Sequence, residues 1–365
     1  MQDQNGINRT SHFQPKYFFI DTVGTVVIDA SKYERVLSFS EGLAAVRDRE
    51  GWAFIDKSGK EVIEQRFEGA DSFSEGLAAV QVKGLWGFID RQSRMIVKPQ
   101  YEIANPFSDG IAVVVKGKAT NASHPVRGAG SESVVVQSKV VRRKQVLTGG
   151  LKGGLSNDHT DQWENKEVLL IDLSGKAILS GRLSELPLRI NGRFSEELIE
   201  AEDPTTHKFG FFDKTGRFVI EPKYRRAAPF SEGMARVSVI KDGEEKIGFI
   251  DHRGRFAIPP RFNTDADFRG NSTDFSEGLA SLTEGLRPTV TEESKFVYID
   301  KQGAIVLTTS FIYAGRFRHG LASVYDAEKN KWGFIDKTGK LVISVEYDSV
   351  SDFSDGLAFV GIVTN

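Results

Sequence analysis

The sequence has no cysteine at any of its 365 positions. Disulfides, thiolate-bound zinc and cysteine nucleophiles are therefore excluded. It also lacks an apolar run near about 20 residues, so we expect no transmembrane span. Residues 1–16 are polar and lack the apolar core of a signal peptide. We therefore expect a flexible N-terminal segment at 1–16 and a cytoplasmic protein by default, or a periplasmic or secreted one if a leader has been removed.

An excess of charge is absent as well. Lysine and arginine number 48, aspartate and glutamate 50, and the formal net charge is −2. Such a balance gives no reason to expect nucleic acid as a partner. Phenylalanine (26) and glycine (36) are abundant instead, which suits many short strands joined by turns. No stretch combines helical periodicity with helical length, so we predict an all-β fold.

Two motifs recur eight times each. The first is Phe-Ser-Glu/Asp-Gly-Leu-Ala-x-Val, with a degenerate fourth copy, and it begins at Phe39, Phe73, Phe107, Phe194, Phe230, Phe275, Phe317 and Phe353. The second is aromatic-Gly-Phe-Ile-Asp-x-x-Gly, and its aspartates are Asp21, Asp56, Asp90, Asp172, Asp213, Asp251, Asp300 and Asp336. A fixed period of this kind indicates a solenoid, a propeller or an array.

Each repeat reads as three or four short antiparallel strands. The aromatic-Gly-Phe-Ile-Asp strand is apolar on both faces, so we expect sheets to cover it on both sides, and its glycine leaves room for a neighbouring backbone or ring. Position x of the first motif varies widely, so we expect it to face a less crowded place. It holds Ala45, Val113, Arg236, Ser281 and Phe359.

The repeats predict one β domain over residues 17–361. The chain starts with the second strand of a unit at Tyr17–Asp21 and finishes with the first strand of a unit at Gly356–Val360. Pairing of those two strands would close a β-propeller-like ring and remove free sheet edges. An open β-solenoid is the alternative arrangement.

The period is interrupted by a loop or hairpin insertion at 116–167. Its middle, Ser133–Leu147, is β-prone, and smaller insertions lie at 263–273 and 284–293. The insertion contains a basic cluster, Arg142, Arg143 and Lys144, which is a candidate contact for phosphate or an acidic partner. The alternative is a solvated hairpin turn. Long insertions in repeat proteins often lie on the binding face.

The repeated polar residues have two interpretations. Each Asp can bond to its own turn, or the eight can line a channel and bind a cation. The Ser-Glu-Gly triplets suit turns, and no histidine accompanies them as the base that a nucleophilic serine needs. His252 and His319 occupy variable turn positions, so we expect them at the surface. We predict no catalytic residues, no metal site and no cofactor.

The motifs resemble those of the bacterial WG-repeat family. The resemblance rests on Trp-Gly-Phe-Ile-Asp at 86–90 and 332–336 together with Phe-Ser-Glu/Asp-Gly-Leu-Ala upstream, and it covers residues 17–361 apart from the insertions. Trp is kept in three copies (Trp52, Trp86, Trp332), and Ala53 replaces the glycine in one. The resemblance implies an all-β interaction or scaffold module with no catalytic residues to transfer.

These observations favour a non-enzymatic scaffold that binds a protein or peptide. One alternative is a glycan- or cell-envelope-binding module, which would use exposed aromatic residues. Another is an enzyme whose site lies at one mouth of the ring and is assembled from residues that break the repeat. The oligomeric state is not predicted.

Overall fold

The computed structural model describes residues 15–116, 167–179, 189–190, 193–203, 205–263, 274–284 and 295–363. Within these ranges the regular elements are 31 β-strands, and no helix occurs. The strands form eight separate antiparallel sheets, numbered here as blades 1 to 8. Seven blades have four strands and one has three, so the prediction of eight all-β units is confirmed.

The first four blades follow one another along the chain. Blade 1 contains β3 (Arg35–Val36), β4 (Leu43–Arg47), β5 (Trp52–Asp56) and β6 (Glu61–Phe67). Blade 2 contains β7 (Gly69–Ala70), β8 (Leu77–Val82), β9 (Leu85–Asp90) and β10 (Met95–Tyr101). Blade 3 contains β11 (Ile103–Ala104), β12 (Ile111–Lys116), β13 (Glu167–Asp172) and β14 (Ala177–Leu179). Blade 4 contains β15 (Arg189–Ile190), β16 (Leu198–Asp203), β17 (Lys208–Asp213) and β18 (Phe218–Tyr224).

The last four blades include the three-stranded one. Blade 5 contains β19 (Arg226–Ser231), β20 (Met234–Lys241), β21 (Glu244–Ile250) and β22 (Phe256–Asn263). Blade 6 contains β23 (Ala280–Glu284), β24 (Lys295–Ile299) and β25 (Ile305–Thr308). Blade 7 contains β26 (Tyr313–Ala314), β27 (Leu321–Asp326), β28 (Lys331–Asp336) and β29 (Leu341–Tyr347). Blade 8 contains β30 (Ser349–Val350), β31 (Ala358–Ile362), β1 (Lys16–Ile20) and β2 (Val26–Asp29).

Blade 8 closes the ring. β31 pairs antiparallel with β1 from Lys16 opposite Ile362 to Ile20 opposite Ala358. The strand that opens the described chain and the strand that ends it therefore share one sheet, which removes the free edges of an open stack. The ring prediction is confirmed, and the solenoid alternative is wrong.

The two ends of the ring carry different connections. In each four-stranded blade the second strand begins after the Phe-Ser-Glu/Asp-Gly turn, and the third strand ends at the Asp-x-x-Gly turn, so both turns lie at one end, here called the turn end. The connection between second and third strands, and the passage from the fourth strand to the next blade, lie at the other end, here called the crossover end. The pairing of Tyr101 with Trp86 and of Ile103 with Val115 shows this arrangement in blades 2 and 3.

The hydrophobic core is divided into layers between neighbouring blades. Leu43 and Ala45 of blade 1 lie in one buried cluster with Ala78 and Val80 of blade 2. Eight clusters of this kind occur, one at each junction. The third strand is buried on both faces, as residues 86–90 of β9 show, which confirms the expectation of a strand covered on both sides.

The glycine of the Trp-Gly motif faces a bulge in the fourth strand. In blade 2, Trp86 pairs with Tyr101 and Phe88 with Val97, so Gly87 stands opposite residues 98–100. A Cβ on Gly87 would lie 2.7 Å from the Pro99 nitrogen. Gly210, Gly248 and Gly333 face the neighbouring backbone in the same way. The predicted role of this glycine, room for a neighbouring backbone, is confirmed.

Each repeated aspartate bonds to its own turn. Asp56 Oδ1 accepts hydrogen bonds from the backbone N–H groups of Ser58 at 2.9 Å and Lys60 at 3.1 Å. All eight aspartates accept from the residues two and four positions further on. The Ser58 hydroxyl donates a hydrogen bond to Asp56, and this bond is the largest cause of the lowered pKa of Asp56. The Ser174 hydroxyl lowers the pKa of Asp172 in the same way. The turn interpretation of the aspartates is confirmed.

The Phe-Ser-Glu/Asp-Gly turns link each blade to the next. The residue after the serine and the glycine both have positive φ, as at Glu41 (54°) and Gly42 (81°), which a type I′ hairpin turn requires. The side chain of the residue after the serine accepts a hydrogen bond of 2.6 to 3.3 Å from a backbone N–H in the equivalent turn of the next blade. We call these acceptors the turn ring: Glu41, Glu75, Asp109, Glu196, Glu232, Glu277, His319 and Asp355. The bond from Gly42 N–H to Asp355 completes the circuit.

The Asp-x-x-Gly turns provide a test of these backbone requirements. Gly339 has a φ of +84°, and a Cβ there would lie 2.8 Å from Leu307 Cδ1, so Gly339→Ala should lower the free energy of unfolding by more than about 1 kcal/mol. Ser93 occupies the same position in blade 2 with a φ of 62°, so Ser93→Gly should raise that free energy by about 0.5–1 kcal/mol. Urea denaturation measures both changes, and shifts of the same sign would contradict this account.

Candidate functional site

Half of the blades place a polar residue at position x of the second strand. Blades 8, 1, 2 and 3 carry Phe359, Ala45, Ala79 and Val113 there, whereas blades 4 to 7 carry Glu200, Arg236, Ser281 and Ser323. We expected this position to face a less crowded place, and that expectation is wrong. Ala45, Arg236 and Ser281 are at most 1% exposed, because the side chain faces the neighbouring blade.

Arg236 of blade 5 forms a buried ion pair with Asp274 of blade 6. Arg236 is 1% exposed, and its Nε lies 3.3 Å from Asp274 Oδ1. Burial raises the pKa of Asp274, while the positive charges of Arg236 and Arg316 lower it. A buried pair of this kind adds little net stability over apolar side chains of similar size. The fold does not require it, since the junction of blades 1 and 2 has Ala45 and Ser72 at these positions.

Glu200 of blade 4 is a second buried carboxyl. It is 6% exposed, and no described residue donates a hydrogen bond to its Oε2. Burial raises the pKa of Glu200 well above its usual range, a backbone hydrogen bond opposes that shift, and the negative charge of Asp274 adds to it. Glu200 therefore keeps its proton to a higher pH than an exposed glutamate does.

These carboxyls lie towards the axis of the ring. Glu200 and Asp274 belong to blades 4 and 6, with blade 5 between them, yet the charge of Asp274 acts on Glu200. Burial raises the pKa of Asp71 in blade 2, and its Ser72 hydrogen bond and the charge of Arg193 in blade 4 oppose that shift, so these two residues also interact past a blade. In a radial arrangement alternate blades approach one another only near the axis, so such side chains lie in the inner part of the junctions between blades.

A further ion pair extends this polar region into blades 7 and 8. Arg316 Nε lies 2.9 Å from Asp352 Oδ2, and both residues directly precede the phenylalanine of their turns, as Asp274 does. The buried Tyr298 hydroxyl donates to the Gly315 carbonyl oxygen at 2.6 Å beside them. We call Glu200, Arg236, Asp274, Arg316 and Asp352 the central polar cluster.

The central polar cluster is suited to binding rather than to covalent chemistry. It contains carboxyls and guanidinium groups, and none of its members is a nucleophile paired with a base. Across the described ranges, no group of three or more His, Asp or Glu side chains is arranged to hold a metal ion. What the cluster offers is paired and unpaired charge in a buried setting.

Of the three described histidines, His252 and His319 lie at the turn end. His252 Nε2 is 2.9 Å from Glu196 Oε2, and its side chain is 44% exposed. The His252 ring stacks on Phe230 with centroids 4.3 Å apart. His319 Nε2 accepts the Gly356 N–H at 3.3 Å and so takes the place of a carboxylate in the turn ring. Their predicted surface positions are confirmed, and neither belongs to the central polar cluster.

The predicted partner-binding residues Arg142, Arg143 and Lys144 lie outside the described residues. The same holds for residues 1–14 and for most of the insertions at 116–167, 263–273 and 284–293. The role of the basic cluster stays a prediction.

The points where the longest undescribed segments attach are themselves described. Residues 117–166 and 285–294 connect the second and third strands of blades 3 and 6. Residues 180–188 follow the fourth strand of blade 3, and residues 264–273 follow the fourth strand of blade 5. Lys116 pairs with Glu167, Glu284 with Lys295 and Lys246 with Asn263, so three of these segments adjoin the crossover end, whereas Leu179 pairs with Leu170 in the middle of β13. Three departures from the repeat therefore start at the crossover end, in blades 3, 5 and 6.

Sequence reasoning missed Glu200, Asp274 and Arg316. The available signal was comparison of equivalent positions around the ring rather than along the chain. Glu200 is the one acidic residue among the eight at position x, and Asp274 and Arg316 stand where blades 1 and 2 have serine. Variability at these positions suggested that their side chains are exposed. In the structure it reflects different side-chain contacts between neighbouring blades.

A closed ring of eight antiparallel blades with alternating buried layers defines an eight-bladed β-propeller. A family model described as WG containing repeat matches the chain in seven stretches, at residues 17–52, 52–86, 86–118, 209–239, 247–282, 298–329 and 332–362. The chain belongs to the WG containing repeat family.

Solved structures resemble the chain only at low identity. A protein of unknown function from Bacteroides caccae shares 12% identity with a TM-score of 0.27, and the match covers 67% of this chain and 93% of that one. Streptogramin B lyase shares 11% with a TM-score of 0.36, covering 95% and 98%. Prolyl oligopeptidase B from Galerina marginata shares 9% with a TM-score of 0.44, covering 92% and 51%. These likenesses carry no argument about activity.

No curated protein matches the chain. Within the described ranges, no helix of a length and hydropathy suited to crossing a membrane occurs.

The buried ion pair can be tested by reproducing another junction of the same ring. Arg236→Ala leaves the buried Asp274 without this partner and should lower the free energy of unfolding by about 3–5 kcal/mol. Adding Asp274→Ser recreates the Ala45 and Ser72 combination of blades 1 and 2, so the double variant should regain most of that loss. Urea denaturation of both single variants and the double variant measures the coupling. Additive losses would contradict an interaction between the two side chains.

Glu200 should make stability fall as pH rises. Its pKa is raised in the folded protein, so between the unfolded and folded pKa values the folded protein binds more protons than the unfolded chain. The free energy of unfolding then decreases with pH across that window, by up to about 1.4 kcal/mol per pH unit. Glu200→Gln removes this dependence, so its stability advantage over wild type should grow as pH rises above about 5. Denaturation from about pH 4 to 8 measures it, and a pH-independent difference would be the contrary result.

Proposed function

We propose that the protein is a non-enzymatic scaffold that binds a protein or peptide, with the crossover end of blades 3 to 6 as its binding face. The observation that carries the proposal is that three insertions start from this end, in blades 3, 5 and 6. Insertions in repeat proteins map to loops on one face, often the binding face. The regular repeats supply the rigid support for such loops.

The non-enzymatic part of the proposal is supported by how the repeated polar residues are used. The repeated aspartates bond to their own turns, and the turn ring bonds to backbone N–H groups of adjacent blades. Turn serines are used similarly, since Ser74 Oγ donates to the Phe107 carbonyl oxygen at 2.6 Å. Residues that satisfy the fold in this way are poor candidates for catalysis.

The alternatives rest on different residues. An enzyme assembled from residues that break the repeat would use the central polar cluster, where the pKa values of Glu200 and Asp274 are raised by burial. A glycan-binding module would need exposed aromatic rings; Phe256 is 40% exposed, whereas Trp52 and Trp86 are 3% and 5% exposed. The scaffold is favoured because its supporting feature involves three blades and both kinds of crossover connection.

The scaffold proposal is tested by peptide selection. A displayed random-peptide library is selected on the wild-type protein, and enriched peptides are titrated by calorimetry against a variant whose residues 117–166 are replaced by Lys-Gly. Blade 2 uses that same connection, Lys83-Gly84, between its second and third strands. Enriched peptides should lose at least about tenfold in affinity, which corresponds to about 1.4 kcal/mol.

Two further variants locate the contact. Replacing Arg142, Arg143 and Lys144 together by alanine should weaken acidic peptides if the basic cluster takes part. Val23→Ser, at a turn-end position that is 72% exposed, is the matched control and should leave binding unchanged. Peptide binding that survives loss of residues 117–166 and falls with Val23→Ser would overturn the proposal. Turnover of glycoside or peptide substrates that is lost in Glu200→Gln would favour the enzyme alternative.

A further inference from the structure

We infer that Glu200 anchors a cationic group, an ammonium or guanidinium, of a peptide bound at the centre of the ring. The inference rests on the proposed binding role, and it names the chemistry of the group that enters the ring. Its basis is the charge balance and the hydrogen bonding of the central polar cluster.

Ionised, the central polar cluster carries one negative charge more than it carries positive ones. Arg316 pairs with Asp352 at 2.9 Å, and Arg236 pairs with Asp274 at 3.3 Å. Among the described residues, no lysine, arginine or histidine lies within ion-pair distance of the third carboxyl, that of Glu200. A buried carboxylate without a cation is costly, and this cost favours the protonated form of Glu200 in the free protein.

The Glu200 side chain also has an unused acceptor. Oε2 receives no hydrogen bond from any described residue, although Glu200 is 6% exposed. Leaving a buried polar atom unsatisfied costs about 1–3 kcal/mol, and such an atom in a native fold calls for a role. An ammonium or guanidinium would supply both the missing donor and the missing positive charge.

The fold does not account for a glutamate at this position. The equivalent residues are Ala45, Ala79 and Val113 in blades 1 to 3, where the same layer closes without charge. Glu202, two residues along the same strand, shows the contrast, because its Oε1 lies 2.8 Å from His207 Nδ1. A buried carboxyl whose Oε2 has no described donor, at a position that other blades fill with alanine or valine, is better explained by a ligand than by stability.

The experiment measures binding of small cations by calorimetry. N-acetyl-arginine amide and N-acetyl-lysine amide are the probes, and N-acetyl-citrulline amide is the uncharged match to arginine. Wild type should bind at least one cationic probe at least tenfold more tightly than the citrulline compound. Glu200→Gln should reduce that affinity at least tenfold, and Glu200→Ala, which copies blades 1 and 2, should do the same. Glu202→Gln is the control and should bind as wild type does.

Three results would overturn the inference. They are absence of binding by any cationic probe, equal affinity for the arginine and citrulline probes, and unchanged affinity in Glu200→Gln. Stabilisation by potassium chloride alone that depends on Glu200 would assign the site to an inorganic cation and overturn the peptide assignment. Because the probes need no partner, failure here with successful peptide selection at residues 117–166 leaves the proposed function standing. If the cationic probes bind but peptide selection fails, the cation site at Glu200 stands and the proposed function fails.

Discussion

The ring depends on one interaction repeated at every blade junction: an acceptor side chain that reaches from one turn to a backbone N–H of the next. Glu41 and its seven equivalents adopt positive φ, a conformation that costs a residue with a Cβ about 1–2 kcal/mol. The same conformation directs the side chain along the ring, where hydrogen bonds to charged groups contribute about 1.5–3 kcal/mol. Local strain and contact between blades are therefore coupled, and the blades are held together at the end where the turns meet.

One substitution in the turn ring is accompanied by a second. Lys337, which follows a turn aspartate, places its Nζ 3.2 Å from Glu277 Oε2 of the preceding blade. Where His319 replaces the acid, the residue at the lysine's position in the next blade is Thr22. A neutral acceptor needs no cation beside it, so the two changes are consistent with each other. The pairing is not general, because Glu75 keeps the acid although Leu173 stands at the lysine's position in blade 3.

Much of the architecture is predictable because the repeat carries its own physical reasons. Gly87 and its equivalents indicate a bulged fourth strand, and that strand has seven or eight residues in the four blades with this glycine. The blade with Ala53 at the same position also has a seven-residue fourth strand, Glu61–Phe67. The Asp-x-x-Gly turns likewise follow from side-chain hydrogen bonding and positive φ. The turns and the strand pairing that closes the ring could be predicted from such residues, whereas the number of strands in each unit was predicted only as three or four.

The central polar cluster could not be predicted in the same way. Burial of Arg236 involves Asp274 of the next blade, and the pKa of Glu200 is raised first by burial and further by a carboxyl two blades away. Those contacts join residues that are 38 or more positions apart and belong to no shared motif. Variation at one position of a repeat therefore has two explanations, solvent exposure or compensated packing. The three-dimensional structure is needed to distinguish them.

The shared sheet of blade 8 also constrains how the protein is made. Gly42 and Asp355, which meet where the circuit of turns closes, are 313 residues apart in sequence. During synthesis β1 must wait for β31, so one edge of β1 is unpaired until blade 8 is complete. Contacts of such separation slow folding and leave strand edges open to wrong pairing. The strand pairing that removes free edges from the finished ring therefore leaves one edge open while the chain is being made.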